Sequence, residues 1–118
     1  KLQLKPGRTL LLVNPPVGYL DSAAAILSGA HLTLEPTIVD ILQVFLRSMS
    51  ELANSLENFS AFVKPGGMLW IAYPRLTSSL KSDLNRDTIN RFAQAHGWIG
   101  IAMISIDSDW SALRLKRL

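Results

Sequence analysis

Cysteine is absent from this chain of 118 residues. The absence excludes disulfides, thiolate catalysis and cysteine-ligated zinc or iron–sulfur centres. Long apolar runs are missing as well: none approaches the roughly 18 residues of a membrane-spanning helix. The first residues lack the pattern of a secretory leader, so we expect a cytoplasmic protein without membrane contact. Since the chain begins at Lys1 and not at methionine, the sequence leaves open whether leading residues are missing.

Charge is also scarce, because charged residues make up only 18% of the chain while hydrophobic residues make up 48%. This balance is typical of a globular protein, and we predict a single domain over residues 1–118. The net charge is +3, and Arg114, Lys116 and Arg117 crowd the last five positions. A nucleic-acid interface needs a broader basic face, so we do not expect a nucleic-acid partner.

Apolar runs of strand length alternate with segments of helical periodicity. The strand-like runs are Arg8–Val13, His31–Leu34, Ile38–Leu46, Met68–Tyr73, Trp98–Ile106 and Trp110–Leu118. The helical segments are Asp21–Ser28, the stretch from Ser48 to Val63, and Leu84–His96. Buried strands separated by helices predict a parallel sheet covered on both faces, and the short last connection predicts an antiparallel pair. We therefore predict an α/β fold, a three-layer Rossmann-like sandwich whose mostly parallel sheet has about five or six strands and an antiparallel C-terminal strand.

Two local motifs mark helix ends. Ser48-Met49-Ser50-Glu51 has the form of a capping box, in which the serine caps the helix and the glutamate reaches back to it. Lys64-Pro65-Gly66-Gly67 is interpreted as the stop of the same helix, directly before the buried strand Met68–Tyr73. The final strand, Trp110–Leu118, is interpreted as exposed and open to pairing with another chain, although its charges discourage such pairing.

Two family resemblances follow from these motifs. From Asp40 to the end, the order of an Asp-led strand, a helix, a Lys-Pro-Gly-Gly turn, a strand and a closing antiparallel hairpin resembles the second half of class I methyltransferases, which use S-adenosylmethionine. Nearly the whole chain is similar to a family of small bacterial proteins of unknown function. The matching segments are Leu4-Lys5-Pro6-Gly7, Trp70-Ile71-Ala72-Tyr73-Pro74-Arg75, Ser82-Asp83-Leu84 and Asp107-Ser108-Asp109-Trp110-Ser111-Ala112-Leu113-Arg114. That family usually has lysine in place of Arg75. The resemblance implies the fold, and the family has no established activity that could be carried over.

The segment after the first strand departs from the methyltransferase pattern. A methyltransferase needs a glycine-rich loop there, whose backbone N–H groups approach the cofactor. This chain has Asn14-Pro15-Pro16-Val17-Gly18 instead, and the two prolines supply no N–H donors. The Asn-Pro-Pro sequence resembles a motif of amino-group methyltransferases, but it follows the wrong strand and Val17 replaces the aromatic residue. Our interpretation is that the cofactor cradle is absent, and we expect no cofactor.

A candidate site follows from the fold alone, because ligands of open α/β sheets bind outside the carboxyl ends of the strands. The polar and aromatic residues predicted at those ends are Asn14, Arg47, Ser48, Tyr73, Arg75, Thr77, Ser78, Asp107, Asp109 and Trp110. Arg47 and Arg75, with the hydroxyl groups nearby, have the chemistry to hold an anion. No metal-ligand spacing and no catalytic constellation is present.

The leading hypothesis is therefore a non-catalytic Rossmann-like domain that binds a protein partner or a small anionic ligand at the carboxyl ends of its strands. The alternative is a divergent S-adenosylmethionine-dependent, methyltransferase-like enzyme. The sequence favours the absence of enzymatic activity without deciding it.

Overall fold

A computed structural model describes residues 9–15, 31–34, 37–75, 82–106 and 109–117. Its strands are β1 Thr9–Val13, β2 His31–Thr33, β3 Val39–Phe45, β4 Val63–Pro74, β5 Trp98–Ser105 and β6 Trp110–Arg117. Its helices are α1 Met49–Phe59, which runs into a 3₁₀ turn at Ser60–Phe62, and α2 Arg86–Ala95. The predicted helix Asp21–Ser28 lies outside the described residues. In the described part, no helix has the length and apolar character needed to cross a membrane.

The strands form a six-stranded sheet in the order β2-β1-β3-β4-β6-β5. β1 is parallel to both β2 and β3, and β3 is parallel to β4. β6 is antiparallel to β4 on one side and to β5 on the other. The prediction of a mostly parallel sheet with an antiparallel C-terminal strand is confirmed.

Both faces of the sheet are buried, which explains why its strands appear in the sequence as continuous apolar runs. The first face carries Leu42, Ile71 and Leu113, against which Leu52 of α1 and Ile89 of α2 pack. The second face has its own cluster of buried side chains: Leu10, Leu12, Ile41, Phe45, Trp70, Ala72, Trp110 and Ala112. The two described helices therefore cover the first face.

The capping box at the start of α1 is present with one difference from the prediction. The hydroxyl oxygen of Ser48 accepts the backbone N–H of Glu51 at 3.2 Å, as expected. The Glu51 carboxylate accepts the N–H of Arg47 at 3.3 Å, one residue further back than the standard motif. The N–H of Met49 is bound by the carboxylate of Asp83 at 2.9 Å, which ties the start of α1 to the segment before α2.

Helix α2 begins at Arg86, two residues later than the sequence pattern predicts. Asn85 caps it: the Asn85 side chain accepts the N–H of Thr88 at 2.9 Å, and the Thr88 hydroxyl accepts the N–H of Asn85 at 2.9 Å. Asparagine favours the N-cap position because its side chain replaces a missing backbone acceptor. The helix ends at Ala95, and Gly97 follows as predicted.

The interpretation of Lys64-Pro65-Gly66-Gly67 as a helix stop is wrong. α1 ends earlier, at Phe59, and this motif lies inside β4. Val39 pairs with Val63 and Ile41 pairs with Met68. Between these two pairs the chain moves two residues along β3 but five residues along β4. The extra residues of β4 form a bulge in the ladder. The bulge lies inside the strand, because pairing already starts at Val63, before the motif. Gly67 fits only as glycine: a Cβ there would lie 2.6 Å from the carbonyl oxygen of Asp40.

A polar cluster joins three neighbouring parallel strands, β1, β3 and β4, at their amino ends. We call Thr9, Asp40 and Lys64 the amino clamp. One carboxylate oxygen of Asp40 accepts the N–H of Thr9 at 2.9 Å and the Thr9 hydroxyl at 3.1 Å, and the other lies 3.6 Å from Nζ of Lys64. The Thr9 N–H is the main cause of the lowered pKa of Asp40; the Thr9 hydroxyl and Lys64 act in the same direction, and partial burial opposes them.

The prediction that the final strand is exposed at the edge is also wrong. β6 lies between β4 and β5, and β5 is the edge strand on this side of the sheet. In β5, Gly100 pairs with Leu115 and Ala102 with Arg114, which leaves Ile101 as the extra residue of a bulge. The Asn90 side chain of α2 accepts the N–H of Gly100 at 2.9 Å. A bulge and a side-chain cap are both features that discourage edge-to-edge pairing.

Candidate functional site

The register of the sheet aligns the carboxyl ends of the parallel strands with the start of β6. Val13 is opposite Val44, Phe45 is opposite Ala72, and Pro74 is opposite Trp110. The residues just beyond these pairs therefore lie along one edge, which we call the carboxyl edge. Of the ten predicted site residues, the structure places seven here: Asn14, Arg47, Ser48, Tyr73, Arg75, Asp109 and Trp110. Thr77, Ser78 and Asp107 lie outside the described residues and stay predictions.

The chain order reverses between β1 and β3. After β1 the chain moves to β2 on one side, and then crosses to β3 on the other side. Such a topological switch point opens a crevice at the carboxyl ends of the two strands, which is the usual ligand position in open α/β sheets. Asn14 follows β1 and Arg47 follows β3, so both residues flank this crevice. We call it the β1–β3 crevice.

Asn14 turns the chain sharply at the end of β1. Its φ angle is 55°, which lies in the left-handed region. Residues with a side chain rarely adopt this conformation, and asparagine is among the few that tolerate it. The side chain of Asn14 is exposed. The sequence pattern alone did not predict this conformation.

Arg47 and Ser48 contribute differently to the site. The Arg47 side chain is exposed and its guanidinium carbon lies 5.8 Å from the centre of the Trp110 ring, within the range of a cation–π contact. The carbonyl of Arg47 accepts the hydroxyl of Ser82 at 2.6 Å, so the main chain just before α1 is tied to the segment before α2. Ser48 uses its oxygen to cap α1, and we assign it a structural role.

Trp110 and Asp109 contribute more to the structure of the carboxyl edge than to a binding surface on it. Trp110 is buried, and its ring meets Phe45 edge to face at 5.1 Å between centroids. The carbonyl of Asp109 accepts the N–H of Arg75 at 2.8 Å, which extends the β4–β6 ladder beyond the end of β4. These contacts fix where Arg75 leaves the sheet.

A second opening lies between the end of β4 and the start of α2, on the face of the sheet that carries the helices. It is an open cleft of about 490 Å³, which we call the β4–α2 cleft. Its lining residues are Tyr73, Arg75, Asn85, Arg86, Asp87, Met103 and Ser111. The volume is within the usual range of about 300–1,000 Å³ for small-molecule sites. Tyr73 and Arg75 were predicted as site residues, whereas the other five were not.

Tyr73 forms the floor of the β4–α2 cleft. It is 5% exposed, and its hydroxyl donates to the sulfur of Met103 at 3.1 Å. Thioether sulfur is a weak acceptor. Burial raises the pKa of Tyr73; the charge of Arg86 opposes this shift and that of Asp87 adds to it. The two charged residues at the start of α2 therefore act on the same hydroxyl.

Two other kinds of site receive no support from the described residues. Among residues 9–15, 31–34, 37–75, 82–106 and 109–117, no group of His, Asp or Glu side chains is arranged to hold a metal ion. The basic residues near the end of the chain do not form one surface. The Arg114 guanidinium carbon lies 5.9 Å from the Trp70 ring on the second face, whereas that of Arg117 lies 4.5 Å from the Trp98 ring on the first.

Solved structures of methyltransferases resemble this arrangement. The ribosomal protein L11 methylase of Lactobacillus delbrueckii subsp. bulgaricus matches 98% of this chain over 72% of its own, with a TM-score of 0.61 and 11% identity. The B. subtilis tRNA methyltransferase TrmK matches 98% over 62% of its own, with a TM-score of 0.65 and 10% identity. The O-methyltransferase NcsB1 from neocarzinostatin biosynthesis, in complex with S-adenosylmethionine and a naphthoic acid, matches 93% over 49% of its own, with a TM-score of 0.64 and 12% identity.

The chain has a methyltransferase-like fold. The three structures share the Rossmann-like arrangement over nearly all of this chain, while it spans less than two thirds of TrmK and of NcsB1. At 10% to 12% identity, the likeness concerns the fold. No protein-family model matches the sequence, and no curated protein does.

Proposed function

We propose that this methyltransferase-like domain binds S-adenosylmethionine in the β1–β3 crevice. The supporting observation is the switch point itself, with the left-handed Asn14 directly after β1 and the exposed Arg47 after β3. NcsB1, which shares the fold over 93% of this chain, is in complex with S-adenosylmethionine. The likeness favours the methyltransferase-like alternative over the non-catalytic binding domain.

We assign the contacts with the ligand to a different set of donors from those of the usual glycine-rich loop. Asn14 makes the tight left-handed turn that glycine would make, whereas Pro15 has no N–H to offer. The Asn14 amide carries both a donor and an acceptor, and we assign it to replace the missing backbone donors. We assign the exposed Arg47, whose guanidinium lies 5.8 Å from the Trp110 ring of β6, to turn away from that ring and pair with the carboxylate of the methionine part. When bound, S-adenosylmethionine supplies an electrophilic methyl group.

Calorimetric titration with S-adenosylmethionine tests the proposal. We expect saturable binding with a dissociation constant on the order of micromolar to tens of micromolar. Asn14→Gly keeps the left-handed turn and removes the amide, so we expect about tenfold weaker binding. Asn58→Ala removes an exposed asparagine from the last turn of α1, at the end of the helix away from Arg47, and is the matched control. The absence of heat at millimolar ligand, with a cooperative thermal melt, contradicts the proposal.

The second candidate is the non-catalytic domain that binds a protein partner or a small anionic ligand. Pro15 favours it, because a proline after β1 reduces the capacity of this turn to bind a nucleotide-like ligand through its backbone. The same titration separates the two candidates. Micromolar binding of S-adenosylmethionine contradicts the second, and silence of a folded protein at millimolar concentration supports it.

A further inference from the structure

The β4–α2 cleft is distinct from the β1–β3 crevice. β4 and β6 form its floor, and the start of α2 forms its rim. Because neighbouring strands lie about 4.8 Å apart, the two openings are separated by about 10 Å along the carboxyl edge. Whether a ligand binds in the β4–α2 cleft can therefore be tested without assuming that S-adenosylmethionine binds at the β1–β3 crevice.

The charged groups around the cleft favour an anion. Arg75 at the end of β4 and Arg86 at the start of α2 line it, and Asp87 is the acidic residue among its lining residues. Arg86 and Asp87 lie 3.7 Å apart in a pair whose side chains are both largely exposed, so this pair holds the arginine only weakly. The charged side chains that line the cleft are therefore two arginines and one aspartate.

The backbone at the rim of the cleft adds hydrogen-bond donors that also favour an anion. The N–H groups of the first turn of a helix have no partner within the helix. Here the N–H of Thr88 is bound by the Asn85 cap and the N–H of Asn85 by the Thr88 hydroxyl. The N–H groups of Arg86 and Asp87 have no hydrogen-bond partner among the described residues. They lie at the positive end of the helix dipole.

The floor of the cleft supplies both an apolar surface and a buried hydroxyl. The Tyr73 ring and the Met103 side chain provide the apolar part. The Tyr73 hydroxyl is within a side chain that is 95% buried, and its described partner is the weak sulfur acceptor of Met103. A ligand oxygen is a better acceptor than thioether sulfur, so the hydroxyl gains by turning toward it. Ser111, opposite Tyr73 in the ladder, places a second hydroxyl beside it.

We propose that the β4–α2 cleft binds a small organic anion. Its carboxylate or phosphate lies between Arg75 and Arg86 at the start of α2, and its apolar body lies against Tyr73 and Met103. The cleft volume of about 490 Å³ accommodates a ligand of one or two rings. The ligand must carry one anionic group on an apolar body. Whether the cleft prefers a phosphate or a carboxylate as that group is decided by experiment.

Phenyl phosphate is the probe, followed by ¹H–¹⁵N NMR of the full chain. We expect saturable shifts of the amides of Arg86, Asp87 and Ser111. Inorganic phosphate lacks the apolar body and phenol lacks the charge, so both should bind at least about fivefold more weakly. Benzoate, compared with phenyl phosphate, shows which anionic group the cleft prefers; tighter binding of either one supports the proposal.

Variants separate the cleft from general charge effects. Arg86→Gln should weaken phenyl phosphate binding about tenfold. Arg91→Gln removes the same charge from an exposed position of α2, about 140° around the helix from Arg86, and should change the affinity less than twofold. Tyr73→Phe keeps the ring, and should weaken binding about threefold. Unchanged amides of Arg86, Asp87 and Ser111, or equal effects of Arg86→Gln and Arg91→Gln, overturn the proposal.

Discussion

The two ends of the sheet use their polar groups differently. At the amino end, Thr9, Asp40 and Lys64 bind one another across three strands, and Gly67 packs against the Asp40 carbonyl with no space for a Cβ. At the carboxyl end, Asn14 and Arg47 are exposed, and a cleft opens beside Tyr73 and Arg75. The amino end holds the strands in register, while the carboxyl end exposes the side chains of Asn14 and Arg47 to solvent. Stability and ligand binding are therefore expected to respond to substitutions at opposite ends.

The largest expected effect is at the amino end, in the bulge of β4. Gly67→Ala would place a Cβ 2.6 Å from the Asp40 carbonyl and 2.9 Å from that of Lys64. Neither is a flexible side-chain end, so we expect a loss of about 3 kcal/mol in the free energy of unfolding, measured in urea. Gly66→Ala is the matched control: its φ is +79° but nothing lies within 4 Å of the new Cβ, and we expect about 1 kcal/mol. Equal losses for both variants would show that space at Gly67 is not limiting.

A smaller effect is expected for Asp40→Asn, which removes the charge of the amino clamp. We expect a loss of about 1.5 kcal/mol at neutral pH. The pKa of Asp40 is lowered in the folded protein from an ordinary value of 3.8, chiefly by the Thr9 N–H. The stabilisation is therefore complete above the ordinary value and disappears as pH falls through the folded value. Urea unfolding of both proteins from pH 7 to pH 2 should show a constant difference down to about pH 5 that then shrinks; a difference that grows in acid contradicts this role.

The smallest effect is expected at the carboxyl end. Asn14→Gly preserves the left-handed turn, and the relief of strain offsets the added freedom of the unfolded chain, so we expect a change within about 0.5 kcal/mol. The comparison of the two ends would fail if this variant destabilised the protein as much as Asp40→Asn. Asn14→Ala serves as the control, because alanine disfavours the left-handed region and should cost about 1 kcal/mol.

Much of the fold could be predicted because both faces of the sheet are buried. The runs around Leu10, Leu42 and Ile71 are apolar at nearly every buried position, with the fully buried Gln43 of β3 as the exception, and such runs are distinctive in sequence. The bulge in β4 could not be predicted. Lys64-Pro65-Gly66-Gly67 has the composition of a helix stop, and only the pairing of Val63 with Val39 shows that the strand had already begun.

The candidate site could be predicted in part. Tyr73 and Arg75 followed from the rule that ligands bind at the carboxyl ends of strands. Arg86 was missed because the apolar pattern started the helix at Leu84. The spacing of Asn85 and Thr88 is itself a capping signal, and it would have placed Arg86 in the first turn. The position of Asn14 was predicted, but its left-handed conformation depends on how the chain leaves β1 toward the crevice.

The position of β6 has a consequence for how the chain folds. β6 follows β5 in the sequence but lies between β4 and β5, and among the described strands β5 pairs only with β6. β5 therefore cannot join the sheet before β6 has formed. During synthesis, β5 therefore stays unpaired until β6 has emerged, whereas α2 can already pack against β3 and β4 through Ile89. Pulse-labelled hydrogen exchange should accordingly show the amides of β5 and β6 gaining protection together, after those of β1, β3 and β4.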